Sequence, residues 1–271
     1  MQKEKRVLLT GASSGIGRVT AELLLARGYE IWGTARDISK LPQKDHFHPI
    51  AMELTNPQSI DAGFDQAERE SGGIDILINN AGNGCFGPIE AFSPAELETQ
   101  FAILVHAPLH LIRRVLPAMR ARNAGTIVNV TSLSVRFPIP FMSAYSAAKA
   151  ALASFTHALQ IELSATRIRV VELQPGDIRT NFQNAMRQIT SPINQAYEPA
   201  RSLVWDKTSH DVEHGPEPEV VACKILEILL AASPLPVAKA GDFFQTRLAT
   251  LGNRLLPTRL MRWVIRKYYG L

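Results

Sequence analysis

Short apolar runs rich in β-branched residues recur along this chain, and longer amphipathic stretches separate them. Val7-Leu8-Leu9-Thr10 is one such run; Glu30-Ile31-Trp32-Gly33-Thr34-Ala35 and Thr126-Ile127-Val128-Asn129-Val130-Thr131 are others. Runs this apolar suit strands covered on both faces, as parallel strands are. The pattern predicts strands near residues 6–10, 30–35, 48–53, 74–79, 126–131 and 168–173, with a short last one near 236–240. Helical periodicity lies between them, near 16–27, 57–71, 94–122, 143–164 and 217–232. In the first helix Ile16, Val19, Leu23 and Leu24 recur at helical spacing and Gly28 supplies the stop. Strand and helix in alternation, joined by right-handed crossovers, predict an α/β fold. It is a doubly wound parallel sheet of seven strands, in the order 3-2-1-4-5-6-7, with helices on both faces. Residues 177–215 break the alternation: they follow Pro175-Gly176 without strong periodicity, yet carry Phe182, Met186, Ile189, Tyr197 and Trp205. A long loop of that kind is expected to be a lid over a site at the strand ends.

The turn between the first strand and helix reads Thr10-Gly11-Ala12-Ser13-Ser14-Gly15-Ile16-Gly17. Strand, glycine loop and helix in that order make a phosphate cradle, with backbone N–H groups and the helix N-terminus facing a pyrophosphate. Ser13 and Ser14 can add hydroxyl donors. The spacing meets the G-x-G-x-x-G fingerprint only loosely, so this motif alone leaves a plain glycine turn open. The second strand ends in Ala35-Arg36. A carboxylate there would grip the ribose 2′-hydroxyl of NAD, whereas Ala35 and Arg36 leave room and charge for a 2′-phosphate. NADP is therefore expected rather than NAD.

A second constellation lies further on. Ser132 ends a strand-like run, Tyr145 follows thirteen positions later, and Lys149 sits one helical turn beyond. Tyr145 and Lys149, at i and i+4, share a helix face. Strand end, loop and helix start can bring a hydroxyl, a phenol and an ammonium to one spot, the equipment for moving a proton on and off a carbonyl oxygen. An unperturbed phenol has a pKa near 10 and is a poor base at neutral pH; an ammonium within about 5 Å would favour phenolate. Ser132 can hold a substrate oxygen against Tyr145. Phe137-Pro138-Ile139-Pro140-Phe141 stands just before Tyr145 and argues for a greasy pocket.

Thr10-Gly11-x-x-x-Gly15-Ile16-Gly17, Asn79-Asn80-Ala81-Gly82, Ser132, Tyr145-x-x-x-Lys149 and Pro175-Gly176 together resemble the short-chain dehydrogenase/reductase family, in order and in spacing, from about Lys5 to Thr180. The resemblance implies hydride transfer between a nicotinamide and a substrate carbon, with Tyr145 as acid/base. It also implies that Lys149 binds the nicotinamide ribose, that Ile178 and Thr180 approach the carboxamide, and that Pro175 and Gly176 lie on that side. Glu53 and Leu54 would take the adenine side; Asn80, Ala81 and Gly82 would line the cofactor after the fourth strand. Homodimers or homotetramers are expected on the same ground. One position departs: the family's asparagine in the long helix after the fourth strand, whose carbonyl anchors a relay water, is Leu104 here. In an α-helix the Leu104 carbonyl would bond the N–H of residue 108, but Pro108 has none. Pro108 is therefore expected to kink the helix and free the Leu104 carbonyl; simple packing of Leu104 with no relay is the alternative.

The expected activity is an NADP(H)-dependent oxidoreductase interconverting a secondary alcohol and a ketone, or an aldehyde and a primary alcohol, on a lipophilic substrate. An NAD-dependent alcohol dehydrogenase is the rival among enzymes. A non-catalytic NADP-binding sensor or scaffold is the rival of another kind, with Leu104 its only support.

With 271 residues and 46% hydrophobic content, the chain is expected to form one domain, 1–271. No apolar run approaches the roughly 20 residues needed to span a bilayer. The N-terminus leads straight into the first strand, which leaves no room for a signal peptide. Cys85 and Cys223 show no metal spacing, so a reduced, cytoplasmic setting is expected. His210 and His214 stand at i, i+4, but nothing in this chemistry calls for a metal, and none is expected. The net charge of +4 is unevenly placed, because the last segment, near 254–269, holds basic residues and no acid. On a helical wheel Arg259, Arg262 and Arg266 share one face, while Leu256, Leu260, Trp263, Val264 and Tyr268 share another. Such a helix either packs its apolar face on its own domain or a second subunit, or lies on an anionic membrane surface. Basic residues confined to this tail, with no recognition motif, argue against nucleic acid.

Overall fold

The structure is a computed structural model and describes residues 5–249 and 256–271. Seven parallel strands form its central sheet: β1 (Arg6–Thr10), β2 (Glu30–Ala35), β3 (Phe47–Ala51), β4 (Ile76–Asn79), β6 (Gly125–Val130), β7 (Ile168–Pro175) and β9 (Val237–Ala240). Their order is β3-β2-β1-β4-β6-β7-β9, the expected one. Two short strands that the sequence pattern did not reveal, β5 (Cys85–Phe86) and β8 (Arg187–Gln188), pair in parallel apart from the main sheet. The strand order reverses between β1 and β4, and a ligand crevice opens at the carboxyl ends of strands around such a switch point.

Alternation along the strands builds a core on each face. Val7 and Leu9 of β1 point with Ile31, Ile76 and Ile78 toward α1 (Gly15–Leu25) and α8 (Glu219–Leu230), which contribute Ala21, Leu24, Val221 and Ile225. Leu8, Leu77 and Ile127 point the other way, onto α2 (Pro57–Ser71) and α4 (Ala107–Ala121), which contribute Ile60, Phe64, Leu111 and Val115.

The long helix ahead of β6 departs from simple expectation. It begins as α3 (Pro94–Phe101) on a Ser93–Glu96 capping box, widens into a π-turn over Ala102–His106, and continues as α4. The Ala107 N–H bonds the Ala102 carbonyl, one residue further back than in an α-helix. Pro108 has no N–H for Leu104, so the α register cannot continue unbroken through this point; a π-turn absorbs the mismatch. By length and composition alone Pro94–Ala121 is long and apolar enough to cross a bilayer, which corrects the expectation that no segment is. In the fold it covers the sheet instead, with Leu111, Ile112, Val115 and Met119 buried.

The expected lid, 177–215, is more regular than its sequence suggested. It holds α6 (Phe182–Ala185), β8 and α7 (Ala200–Glu213), and α7 buries Val204, Thr208 and Val212. β8 is anchored on β5, where Arg187 N–H bonds the Gly84 carbonyl and Ile189 N–H the Phe86 carbonyl. The terminal helix, α9, spans Thr258–Tyr268; residues 254 and 255 of the expected segment lie outside the described residues. Of its eleven residues only Met261 is buried, whereas Leu256, Leu260, Trp263, Val264 and Tyr268 are exposed. The apolar face drawn on the wheel therefore closes onto its own chain only in part: Leu260 and Trp263 stay exposed, while Leu256, Val264 and Tyr268 also line a cavity beneath the helix. The helix is tethered to α7 at its C-terminal end: Tyr268 donates to Asp211 (2.7 Å), and Lys207 lies 4.4 Å from the Tyr268 ring centroid.

Candidate active site

The glycine loop leaves β1 against the end of β4. Thr10 Oγ1 accepts from the backbone N–H groups of Asn80 and Ala81, both at 3.0 Å, and Asn80 Nδ2 donates to the Thr10 carbonyl at 3.0 Å and the Gly11 carbonyl at 3.3 Å. Gly11 has φ +71°, and a Cβ there would lie 2.8 Å from Ala81 Cα. A Cβ on Gly17 would lie 2.1 Å from the Gly11 carbonyl oxygen. Glycine is therefore the residue that lets α1 run this close to the loop. Ser14, at the N-cap, forms no side-chain cap bond, and no acid stands in the first turn. The first-turn N–H groups thus keep their attraction for an anion.

Over this loop runs a groove of about 340 Å³. It is lined by Gly11, Ser13, Ser14, Gly15, Ile16, Gly17, Arg36, Glu53, Leu54, Asn80, Ala81, Gly82 and Thr180, among others. Arg36 is exposed at its edge, directly after β2. A polar groove, backed by a close-packed glycine turn and carrying the Arg36 guanidinium after β2, fits a nicotinamide dinucleotide.

The groove passes into a smaller cavity of about 130 Å³, which shares Ile16, Asn80, Gly82 and Thr180 with it. Here Ser132, Tyr145 and Lys149 come together, with Pro175, Gly176 and Ile178 opposite. Two elements place them, the end of β6 and the start of α5. Thr131 extends β6, its N–H on the Leu173 carbonyl (2.8 Å) and its Oγ1 donating to Glu172 Oε1 (2.7 Å); Ser132 follows, and its Oγ accepts from Ser134 N–H (3.1 Å). Tyr145 and Lys149 lie one turn apart on α5 (Ser143–Glu162). Ala144, Ala148, Leu152 and Ala153 share their buried side, and small residues let the helix approach the sheet closely. Asn129 Nδ2 donates to Thr156 Oγ1 (2.9 Å) and so ties α5 to β6.

The electrostatics correct one expectation. Lys149 donates to the Val130 carbonyl (2.7 Å), and its Nζ lies 5.9 Å from the Tyr145 ring centroid. Burial pushes the Tyr145 phenol up to about 12; a hydrogen bond with Ser132 opposes the rise, and the charge of Asp177 adds to it. Burial also draws the Lys149 ammonium down to about 8. Burial dominates, and the Lys149 ammonium does not offset it, so the Tyr145 phenol stays protonated at neutral pH. Leu104 is fully buried, and a Cβ on Gly82 would lie 3.0 Å from its Cδ2 and 3.6 Å from Lys149 Nζ. The Leu104 side chain packs beside the site.

A third cavity, of about 330 Å³, begins at Ser132, Ile139, Gly176 and Asp177, which it shares with the second. It extends beneath α9 between Leu133, Phe137, Pro138, Met261, Val264 and Ile265. The greasy stretch before Tyr145 thus divides. Phe137, Pro138 and Ile139 line this cavity, while Phe141 packs at 5.8 Å from the Phe86 ring and 5.9 Å from Tyr197. Of the lid residues, Phe182 and Met186 line the second cavity, and Phe182 lies 5.6 Å from the Tyr145 ring; Trp205 packs on Phe86 instead. Sequence reasoning did not single out Asp177, although an acid directly after Pro175-Gly176 was a visible signal.

The comparisons with known proteins agree with this geometry. The family described as short chain dehydrogenase matches residues 5–190, and the chain belongs to that family. It is 31% identical over 267 residues to a 3-ketodihydrosphingosine reductase of Bacteroides thetaiotaomicron, covering 98% of each chain. It is 28% identical over 264 residues to an NADPH-dependent 3-dehydrocapnine reductase of Ornithobacterium rhinotracheale, covering 92% of this chain and 93% of that one. A solved short-chain dehydrogenase from Streptomyces avermitilis superposes with a TM-score of 0.84 at 29% identity, over 97% of this chain and 96% of its own. Similar solved folds hold NADH or NADP. The protein is an NAD(P)-dependent oxidoreductase acting on CH–OH donors or the corresponding carbonyls.

Proposed function

We propose that this short-chain dehydrogenase is a single-domain, NADPH-dependent reductase that converts a lipophilic ketone into a secondary alcohol, or an aldehyde into a primary one, with the reverse reaction open to it. What carries this reading is the convergence of Ser132, Tyr145 and Lys149 in a cavity that runs into the groove over the glycine loop. NADPH, when bound, would supply a hydride to the carbonyl carbon. The chain would do the rest. The glycine loop and first turn of α1 would hold the pyrophosphate, and Arg36 the 2′-phosphate. Ser132 Oγ would donate to the carbonyl oxygen and hold it against Tyr145. Tyr145 would give its proton to that oxygen as charge develops. Lys149, at the end of the cavity, would stabilise the phenolate left behind, and the Leu104 carbonyl would anchor the water that returns the proton.

A group already protonated at neutral pH favours donation to a carbonyl over abstraction from an alcohol, which supports the reductive direction. The names of the two relatives, a 3-ketodihydrosphingosine reductase and an NADPH-dependent 3-dehydrocapnine reductase, support ketone reduction and NADPH over NAD. The apolar cavity under α9 supports a lipophilic substrate. The uncovered side of α9, with Trp263 and Leu260 exposed beside Arg259, Arg262 and Arg266, supports peripheral contact with an anionic membrane from the cytoplasmic side. Assembly into a homodimer or homotetramer rests on the family. The deciding assay follows oxidation of NADPH and of NADH against a panel of ketones and aldehydes of increasing chain length. Turnover with long-chain ketones and NADPH is expected. No turnover with any carbonyl, or equal use of NADH, would overturn the corresponding part.

A further inference from the structure

Lys149 and Glu172 are the charged residues that the core buries among those described, and the chemistry proposed above uses only the lysine. Glu172, on β7, is fully shielded from solvent, and a carboxylate so placed is costly to the fold unless donors surround it. Three of them do. Thr131 Oγ1 donates to Oε1 at 2.7 Å, Gln174 Nε2 to Oε1 at 2.8 Å, and His157 Nε2 of α5 to Oε2 at 2.7 Å. The His157 side chain is half exposed and closes the group off at the surface. Thr131 immediately precedes Ser132. Beyond Ser132 the chain makes a tight turn, Leu133–Val135, and reaches Arg136, whose Nε donates to Gln174 Oε1 at 3.0 Å. Both ends of the short segment that carries Ser132 are thereby hooked to one carboxylate, directly at Thr131 and by way of Gln174 at Arg136. Inside the segment Ser132 Oγ accepts from the Ser134 N–H (3.1 Å), so the hydroxyl turns with its backbone.

We propose that Glu172 is a positioning residue: through Thr131 and Gln174 it fixes the segment of Ser132, so that the hydroxyl stands where it can hold a carbonyl oxygen against Tyr145. Glu172 lines none of the three cavities and therefore acts through its neighbours. An error of about 1 Å in the placing of a reacting group can cost roughly 10²-fold in rate, and a loop hydroxyl without such hooks is free to make it. The role needs Oε1 as an acceptor, since Thr131 and Gln174 both bond that atom. The inference rests on the reading of Ser132 as the group that holds the substrate oxygen, and adds what holds Ser132.

The test follows reduction of a long-chain ketone by NADPH in variants of the full-length protein. Glu172→Met removes every acceptor, whereas Thr131→Val cuts one hook and leaves Glu172 with Gln174 and His157. Each should lower kcat/KM by about 10- to 10²-fold, with the NADPH dissociation constant within about 2-fold of wild type. Glu172→Gln keeps Oε1 for Thr131 and Gln174, and its amide can donate to the other tautomer of His157, so most of the rate should survive. The deciding readout is coupling to Ser132. In a Ser132→Ala protein there is no hydroxyl left to place, so adding Thr131→Val should cost less than about 2-fold, whereas independent losses multiply. A Thr131→Val loss as large in the Ser132→Ala protein as in wild type overturns the inference while the reductase reading stands. Wild-type activity in Thr131→Val, or a Glu172→Gln protein as impaired as Glu172→Met, also overturns it. If Ser132→Ala alone keeps the full rate, the reading of Ser132 falls and this inference with it. If no ketone is reduced, the reductase reading falls, and hydrogen exchange decides separately whether Glu172 fixes Ser132. Residues 131–136 should then exchange several-fold faster in Thr131→Val than in wild type, with α5 unchanged; equal exchange in the two proteins overturns the inference.

Discussion

Lys149→Met tests how the site's electrostatics are set against the stability of the fold. The Lys149 side chain is held out of water, with 4% of the residue exposed, and its described hydrogen-bond partner is the Val130 carbonyl at 2.7 Å. Burial lowers its pKa from 10.5 to about 8. At about 1.4 kcal/mol per unit, that drop corresponds to roughly 3 kcal/mol by which the folded state disfavours the charged lysine. Below about pH 8 the residue is protonated in folded and unfolded chains alike, so the folded state carries the whole cost. Between about 8 and 10.5 the unfolded chain keeps a proton that the folded chain has released, and wild-type stability rises with pH. Methionine fills similar space without charge but leaves the Val130 carbonyl unbonded, a loss of about 1 kcal/mol. Lys149→Met should therefore be about 2 kcal/mol more stable than wild type at pH 7 and about 1 kcal/mol less stable near pH 10.5. Urea unfolding of both proteins across this range reads the difference directly. Turnover, measured alongside, should be lost, as expected where a site is built at the expense of stability. A variant less stable than wild type at pH 7, or an advantage that does not shrink as pH rises, would refute this account of the buried lysine.

Tyr145→Phe removes the donor hydroxyl and keeps the ring packed on Phe182; turnover should fall by about 10²- to 10⁴-fold while NADPH affinity, followed by fluorescence titration, stays within a small factor. Retained activity would show that the proton comes from elsewhere. Arg36→Ala should weaken NADPH by roughly 10- to 150-fold and NADH far less, as read from the two dissociation constants. A parallel loss for both cofactors would remove Arg36 from the 2′-phosphate. Pro108→Ala offers an N–H to the carbonyls ahead of it, so the π-turn should relax toward α geometry, with stability rising or holding and turnover falling. Leu104→Asn should change the rate less than Pro108→Ala, since the backbone carbonyl is the group at issue; the reverse order in steady-state rates would sink the relay.

Much of this site could be read from residue order, because its parts are local. A glycine turn between strand and helix, an arginine at the end of the second strand, and a tyrosine and lysine one turn apart each depend on a few neighbouring positions. The alternation of apolar strands and amphipathic helices likewise carried the sheet order, since short right-handed crossovers leave few other ways to close it. Pro108 announced a disturbance in its helix, because the absence of an N–H is a property of the residue itself. The form of that disturbance was not legible. Whether a helix kinks or takes a π-turn depends on which carbonyls find donors in three dimensions. The lid was underestimated for a similar reason: β8 exists only because β5, about a hundred residues earlier, offers it an edge.

What the sequence determined by itself, then, was the order of elements, the phosphate cradle and the identity of the three polar groups at the end of β6 and on α5. Tertiary structure alone decided their condition. The Tyr145 phenol is lifted above its ordinary value because desolvation sums over every atom packed around it, and no local motif encodes that sum. Glu172 acquires its role only where β6, β7 and α5 bring Thr131, Gln174 and His157 to its carboxylate. The wheel of α9 assigned five residues to one apolar face, but the fold buried Met261, left Leu260 and Trp263 exposed, and turned Leu256, Val264 and Tyr268 only partly onto a cavity. Periodicity states which residues share a side of a helix; which side is covered depends on what the rest of the chain brings against it.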